Sequence, residues 1–414
     1  MINHNIKNGY IKFCQICGNK NIKKVLDLGF QPLADDLRST NLKNIKTEFF
    51  PLEIGFCSKC ILLQNNYIVD EKKLYKKNYH YRPGITKAVT KNFEEMSKKI
   101  VNLYELNSES VVADIGCNDG SLLKEFKKKK IYKLIGIDPT DTILYAKKNG
   151  IKTVQAYMNK KSAYKARNFY GQADIITTTN VFAHTNKLGD FINGIKQLIK
   201  KDGVFIIENH YLLDVIKKRQ FDSFYHEHLR TYSLTSLIKL LSYYKFYPID
   251  SYASERYGGN IQVHFSQVKN KTTKNLTYML VKEKKYKLNK IQTYKKFKED
   301  IYRVKMDIEK YLNKNKNKKI VAKAFPARAS VLLHFFDSIK NSISFIAEQP
   351  SSLKLNKYAP GTKIKIISSN NLNKYKPDIM IILAWHLFAE IKKKWKAKLK
   401  TTKFLKILPR LKVY

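Results

Sequence analysis

The stretch Asp114-Ile115-Gly116-Cys117-Asn118-Asp119-Gly120 limits the fold of this chain more than any other. It ends an unbroken apolar run, VVADIG, and opens a helical one, SLLKEFKKKK. A short apolar run that stops at a glycine suits a strand buried on both faces of a parallel sheet. Glycine lets the chain turn tightly there and approach a ligand closely. Further on, YKLIGID reads as a strand ending on Asp138, and TILYAKKNG as a helix. ADIITTTNVFAH reads as a strand with its loop, FINGIKQLIKKDG as a helix stopped by Gly203, and VFIIENHYL as the next strand. This alternation predicts a doubly wound α/β sheet. The loop is not G-x-G-x-x-G, because Asn118 stands at the second glycine position, and no Gly-Lys-Ser/Thr follows. An acid about 20 residues beyond such a loop can hydrogen-bond the ribose of an adenosine cofactor. Asp138 stands there, so Asp114, Gly116, Asn118, Gly120 and Asp138 are the candidate cofactor residues. On these residues alone a nicotinamide enzyme, or a plain strand–turn–helix, stays open. Cys117 is expected to be a packed neutral thiol.

Four of the five cysteines form two pairs, Cys14-x-x-Cys17 and Cys57-x-x-Cys60. A C-x-x-C turn folds as a knuckle that brings two thiolates to one ion, and two knuckles complete a tetrahedron of sulfur, the closed structural site of Zn²⁺. Gly18 suits the first turn. Four protein ligands leave no open position, so the metal is expected to be structural. The alternative is two reduced or redox pairs, but neither sits in a thioredoxin-like context.

At 414 residues the chain is long enough for two or three domains. It contains no apolar run of about 18 residues and no signal-peptide core at its start, so a cytoplasmic protein without membrane insertion is expected. The net charge of +45 invites nucleic acid as a partner. Yet the excess is mostly lysine spread along the chain, and arginine, which reads phosphates and bases bidentately, is scarce. That reads as compositional drift and argues against nucleic acid, while a basic surface would still favour an anionic small substrate. From Asn270 to about residue 318 the chain is charged and helical in pattern. Beyond it IVAKAF, SISFIAE, KIKII and DIMIILAW read as four strands of a second α/β unit.

The D-x-G-x-x-x-G loop followed by Asp138 resembles the first two motifs of class I S-adenosylmethionine-dependent methyltransferases. Over nearly its whole length the chain is similar to the sugar C-methyltransferases, which act on nucleotide-linked keto-deoxysugars. The resemblance lies in CQICGNKNIKKVLDLGFQPLADDL with FCSKC, in NVFAH, IIENHYL and FDSFYHEH, and in KYAPGTKIKI and KPDIMIILAWHLFAEI. It implies a zinc-binding module (1–75), a methyltransferase domain (76–270), a helical connector (271–318) and a Rossmann-like substrate domain (319–414). It implies S-adenosylmethionine and structural Zn²⁺ as cofactors and a nucleotide-diphosphate sugar as partner. It also implies site residues: Tyr225, Glu227 and His228 of YHEH, Asn180 and His184 of NVFAH, and Tyr79 after the zinc module.

Methylating carbon requires a carbanion equivalent, so a proton must leave the carbon beside a ketone, and histidine suits that base. His228 is the candidate, with Glu227 or Tyr225 orienting it or polarising sugar oxygens, and His184 and Asn180 stabilising the enolate. Read without the family, the histidines and tyrosines are packing residues as readily as functional ones, and His226-x-His228 is a weak metal pattern. Four segments depart from the family. Tyr257-Gly258-Gly259-Asn260-Ile261-Gln262 replaces His-Gly-Gly-Ser-x-Arg, and Phe325-Pro326-Ala327-Arg328-Ala329-Ser330 replaces a Gly-Ala-Ser-Ala-Lys-Gly-like loop. Ala384-Trp385-His386 replaces Pro-Trp-Asn, and Arg82-Pro83 follows the tyrosines where serine is usual. All fall on the acceptor side. An O- or N-methyltransferase of another glycan precursor, an RNA methyltransferase with a zinc module, and an inactive scaffold therefore remain as alternatives.

Overall fold

A computed structural model describes residues 4–41, 47–74, 84 and 87–414. The cysteines lie beside an antiparallel sheet made of β1 (Lys23–Pro32), β2 (Phe49–Cys57) and β3 (Leu62–Asn65). Cys57 ends β2, and Cys60 stands in the turn between β2 and β3.

The alternating pattern beyond the long helix Lys87–Leu103 forms a seven-stranded sheet. Its parallel part contains β4 (Val111–Ile115), β5 (Lys133–Ile137), β6 (Lys152–Val154), β7 (Ala173–Thr179) and β8 (Ile199–His210). Every residue of β4 is buried, as a strand covered by helices on both faces requires. The spatial order is β6-β5-β4-β7-β8, and the direction of winding reverses between β4 and β7. Such a reversal opens a crevice at the carboxyl ends of the strands. β9 (Arg230–Tyr232) leaves this unit and pairs with β3 of the cysteine sheet. β10 (Tyr247–Ser254) and β11 (Asn260–Ser266) return to complete the seven strands, β11 antiparallel to β8. A β7-β8 region followed by an antiparallel β11 is the class I methyltransferase order.

One local expectation fails. The helix before β8 ends at Leu198, not at Gly203. Gly203 instead lies within β8, where a Cβ would stand 2.8 Å from Ile199 Cγ1 and 3.0 Å from the Ala173 carbonyl. Its smallness serves strand approach at an irregular register, which a sequence pattern does not distinguish from a helix stop.

The helices Lys274–Lys285 and Ile291–Asn313 form the charged segment. Behind them lies a second parallel set: β12 (Ile320–Lys323), β13 (Ile346–Glu348), β14 (Lys365–Ser368), β15 (Ile379–Ile382) and β16 (Lys403–Lys406). Their order, β14-β13-β12-β15-β16, repeats that of the first unit. β16 is a fifth strand that the reading of the sequence did not include.

The parts share cores. One apolar cluster joins Leu52 and Ile54 of β2, Phe221 and Phe224, the helix residues Tyr294 to Leu312, and Leu332 and Trp385 of the second unit. Each such side chain contributes about 2 kcal/mol on burial. A short strand, Arg38–Ser39, also adds to the second sheet through Lys357–Tyr358. Among the described residues no helix is long and apolar enough to cross a membrane.

Candidate active site

The first crevice begins with the loop after β4. Gly116, Asn118 and Gly120 all have positive φ (75°, 50° and 75°), so three left-handed residues in five turn the chain sharply at the end of β4. A Cβ on Gly116 would stand 2.3 Å from Val181 Cγ2. The Asp138 carboxylate ties the loop down: one oxygen accepts the Asn118 N–H at 2.9 Å, the other the Thr140 N–H at 2.8 Å. Asp114 accepts the Thr177 hydroxyl at 2.8 Å. Burial pushes the Asp114 carboxyl up to about 7, with Asp138 adding and Thr177 and Arg256 opposing. Burial also raises Asp138, against its hydrogen bonds from Thr140 and Asn118. Two carboxyls whose charge burial penalises form a cradle that a cation would relieve. Cys117 is buried and its thiol is raised well above the usual range by burial, as a packed neutral thiol should be.

The acceptor side lies at the carboxyl ends of β7 and β8. His228 Nδ1 is 2.9 Å from the Ser223 carbonyl, which only accepts, so Nδ1 carries the proton. Nε2 therefore holds the lone pair and accepts the Tyr225 hydroxyl at 2.6 Å. The His184 ring centre is 4.9 Å from that of His228, and His210 is 5.1 Å away. Burial holds His184 down near about 4 and pulls His228 well below its ordinary value, with His184 and His210 adding. The cluster is thus neutral imidazole at working pH. Asn180, in left-handed conformation, accepts Asn260 Nδ2 at 3.3 Å, while its own Nδ2 is buried with no partner among the described residues. Beneath lies a buried ion pair, Arg256 to Glu208 at 3.1 Å.

Of the two residues expected to orient His228, Tyr225 touches it. Glu227 is buried, and its carboxyl is raised well above the usual range by burial, with Asp35 of the cysteine region adding and Lys354 of the second unit opposing. His226 turns elsewhere too, donating from Nε2 to the Phe50 carbonyl at 3.3 Å, so the His-x-His pair does not converge. Tyr79, with Tyr75, Tyr81, Arg82 and Pro83, lies outside the described residues.

The sequence reading did not select His210, Tyr257 or His386. His210 Nδ1 and His386 Nδ1 are buried without hydrogen-bond partners among the described residues, and Tyr257 lies between the two rings at 6.0 and 6.4 Å. His210 ends β8, a position whose strand-end location was itself a signal. Tyr257 and His386 stand at two of the departures from the family pattern.

The cysteine knuckles match each other. Gly18 N–H donates to the Cys14 carbonyl (2.9 Å) and Ile61 N–H to the Cys57 carbonyl (2.8 Å), both residues left-handed. All four sulfurs lie within 4.8 Å of one another, with Cys17 and Cys57 3.8 Å apart. A tetrahedron with Zn–S bonds of ~2.3 Å has edges of ~3.8 Å. Hydrogen bonding to Cys57 pushes the Cys14 thiol up to about 12, a crowding that a dication removes. The donor set therefore fits one closed metal site.

Three family models match in sequence: "Putative zinc binding domain" over 14–75, "Methyltransferase domain" over 86–250 and "C-methyltransferase C-terminal domain" over 255–409. The chain is 25% identical over 383 residues to the C-methyltransferase NovU of Streptomyces niveus, covering 91% of this chain and 90% of that protein. Among solved structures it is similar to the magnesium protoporphyrin IX methyltransferase of Synechocystis with bound SAH (14% identity, 42% of this chain, 82% of that one, TM-score 0.33). It is also similar to an S-adenosylmethionine-dependent methyltransferase from Clostridium acetobutylicum (14%, 43% and 91%, TM-score 0.34). S-adenosylmethionine and zinc are the cofactors of this architecture, and the acidic cradle and the four-sulfur cluster fit them. With its three domains matched in order, and strands laid out as a class I methyltransferase sheet followed by a second unit of like order, the chain belongs to the C-methyltransferases built from zinc-binding, methyltransferase and C-methyltransferase C-terminal domains.

Proposed function

We propose that the protein methylates a carbon of a nucleotide-linked keto-deoxysugar beside its ketone. The observation that carries this reading is the His228–Tyr225 pair: a neutral imidazole of fixed tautomer whose lone pair already accepts a phenolic proton. The C–H bond next to the ketone breaks as its proton passes to the Tyr225 oxygen and the phenolic proton moves to His228 Nε2. The electron pair flows onto the ketone oxygen, where His184 and the Asn180 Nδ2–H, which has no partner among the described residues, stabilise it. Because burial lowers the basicity of His228, the imidazolium formed by this relay gives up its proton readily once the enolate has been consumed. Asp114 and Asp138 hold the donor by its amino-acid and ribose ends, with Gly116, Asn118 and Gly120 giving it room. S-adenosylmethionine supplies an electrophilic methyl group that needs no metal, only in-line placement. Zinc bound by Cys14, Cys17, Cys57 and Cys60 has a structural role.

The test is methyl transfer from labelled S-adenosylmethionine to a panel of nucleotide-linked 4-keto-deoxysugars. Label on a sugar carbon, lost in His228→Ala and Tyr225→Phe, is the expected result. Donor binding with transfer only to oxygen, nitrogen or RNA would overturn the sugar C-methylation reading and leave the methyltransferase assignment standing.

A further inference from the structure

The second unit repeats the winding of the first, so it too has a crevice where its strand order reverses, between β12 and β15. In open α/β sheets such a crevice is where a ligand binds. Here it is filled by the protein. Arg328, from the loop after β12, donates Nε–H and an Nη2–H to the two oxygens of Asp222, both at 2.7 Å. Trp385, just after β15, adds its indole N–H to the same carboxylate at 2.9 Å. Asp222 is fully buried and belongs to the methyltransferase unit, on the 3-10 turn Phe221–Ser223. The same guanidinium reaches Gln220 Oε1 (3.2 Å) and the Tyr257 carbonyl (3.0 Å). The residue next to Asp222 is Ser223, whose carbonyl fixes the His228 tautomer.

We propose that Arg328 is a positioning residue for methyl transfer: by gripping the Asp222 carboxylate in the switch-point crevice of the second unit, it sets the Ser223 carbonyl that orients His228. Three features support a functional grip over plain adhesion between domains. The contact is bidentate, the geometry in which a guanidinium fixes direction as well as distance. It ends one residue from the group that holds the imidazole. Finally, among the described residues it is the one ion pair between that 3-10 turn and the second unit. The opposite flank of the YHEH loop is held by the cysteine region, where Asn65 Nδ2 donates to the Tyr225 carbonyl at 3.0 Å. The loop is thereby held by two supports, and releasing one frees that flank. The inference rests on the reading of His228 and Tyr225 as the proton-abstracting pair.

The experiment uses the full chain as Arg328→Met, Arg328→Lys and Asp222→Asn, with ¹⁵N-labelled histidine and long-range imidazole NMR. The His228 signal is assigned by its loss in His228→Gln. The groups facing the ring are Tyr225, His184, His210 and, by charge, Arg328. In the wild type the signal should show a single Nδ1–H tautomer that titrates well below a free imidazole. In Arg328→Met and Asp222→Asn it should become a mixture of tautomers, with Arg328→Lys between, while S-adenosylmethionine affinity by calorimetry stays within about twofold. Solvent-deuterium uptake by a nucleotide-linked 4-keto-deoxysugar should fall at least about tenfold in Arg328→Met, through kcat rather than KM, with partial recovery in Arg328→Lys. If Arg328→Met does not fold, the other two variants carry the reading. A wild-type tautomer in every folded variant overturns the proposal. Absence of deuterium uptake in the wild type overturns the sugar reading instead, and the tautomer result still decides the role of Arg328.

Discussion

The two parallel units have the same strand order and opposite contents at their crevices. In the first, the loop after β4 carries three left-handed residues and is flanked by the buried carboxyls of Asp114 and Asp138. In the second, the loop after β12 carries Arg328, and a neighbouring domain's carboxylate already occupies the place of a ligand. Even the detail is shared. Glu348 at the end of β13 accepts the Phe325 N–H, as Asp138 at the end of β5 accepts the Asn118 N–H. Topology thus supplies a crevice, but the charge and backbone conformation at its rim decide whether it binds a cofactor or anchors a loop.

The sharpest way to test this contrast is to remove the metal. The sheet beside the cysteines includes β9 from the methyltransferase unit but no strand of the second parallel set. Cys57→Ser or chelation should cost several kcal/mol, since the binding energy of structural zinc is folding energy. Hydrogen exchange should then rise first across Tyr225–Tyr232 and last in β12. Early exposure of β12 would mean that the two units are not separately supported.

Acid should also separate them. Burial holds His184 and His226 near about 4 and His264 near about 3. The folded state leaves these rings neutral, whereas the unfolded chain protonates them below about 6.5. Stability is therefore fully present above 6.5 and is lost as pH falls toward 4, by about 2 kcal/mol per ring such as His184 at pH 5. All three belong to the first unit, while the second contributes His386, held near about 3, and the more modestly lowered His334. Thermal melts at pH 7 and 5, with exchange read by segment, should show the methyltransferase unit failing first. A melting profile flat between those values would refute the neutral-histidine account.

A smaller effect compares the paired acids directly. Asp138→Ala should weaken S-adenosylmethionine by about 100-fold, the value of two charge-assisted hydrogen bonds. Glu348→Ala should leave donor affinity unchanged and cost only about 1 kcal/mol of stability, from the Phe325 N–H it leaves unpaired. Calorimetric titration of both variants measures this. Equal losses would mean that the second crevice also takes part in donor binding.

Much of the molecule was legible because its signals are local. The C-x-x-C spacing fixes two knuckles whatever the rest of the chain does, and the run from Asp114 to Asp138 encodes strand, turn and acid within one βαβ unit. Even there the pattern misplaced a helix end at Gly203, since a glycine needed for close strand approach looks the same as one that stops a helix. The acceptor side was legible only through the resemblance, which named Asn180, His184, Tyr225, Glu227 and His228 without saying which would touch. The tertiary structure decided that Tyr225 caps His228, that Glu227 is buried with its carboxyl raised, and that His210, Tyr257 and His386 join the cluster. It also decided that Arg328 meets Asp222 across 106 positions. Such contacts leave no period or spacing in the sequence, because they arise only when separate sheets pack and buried polar groups must find partners wherever the folded chain brings them.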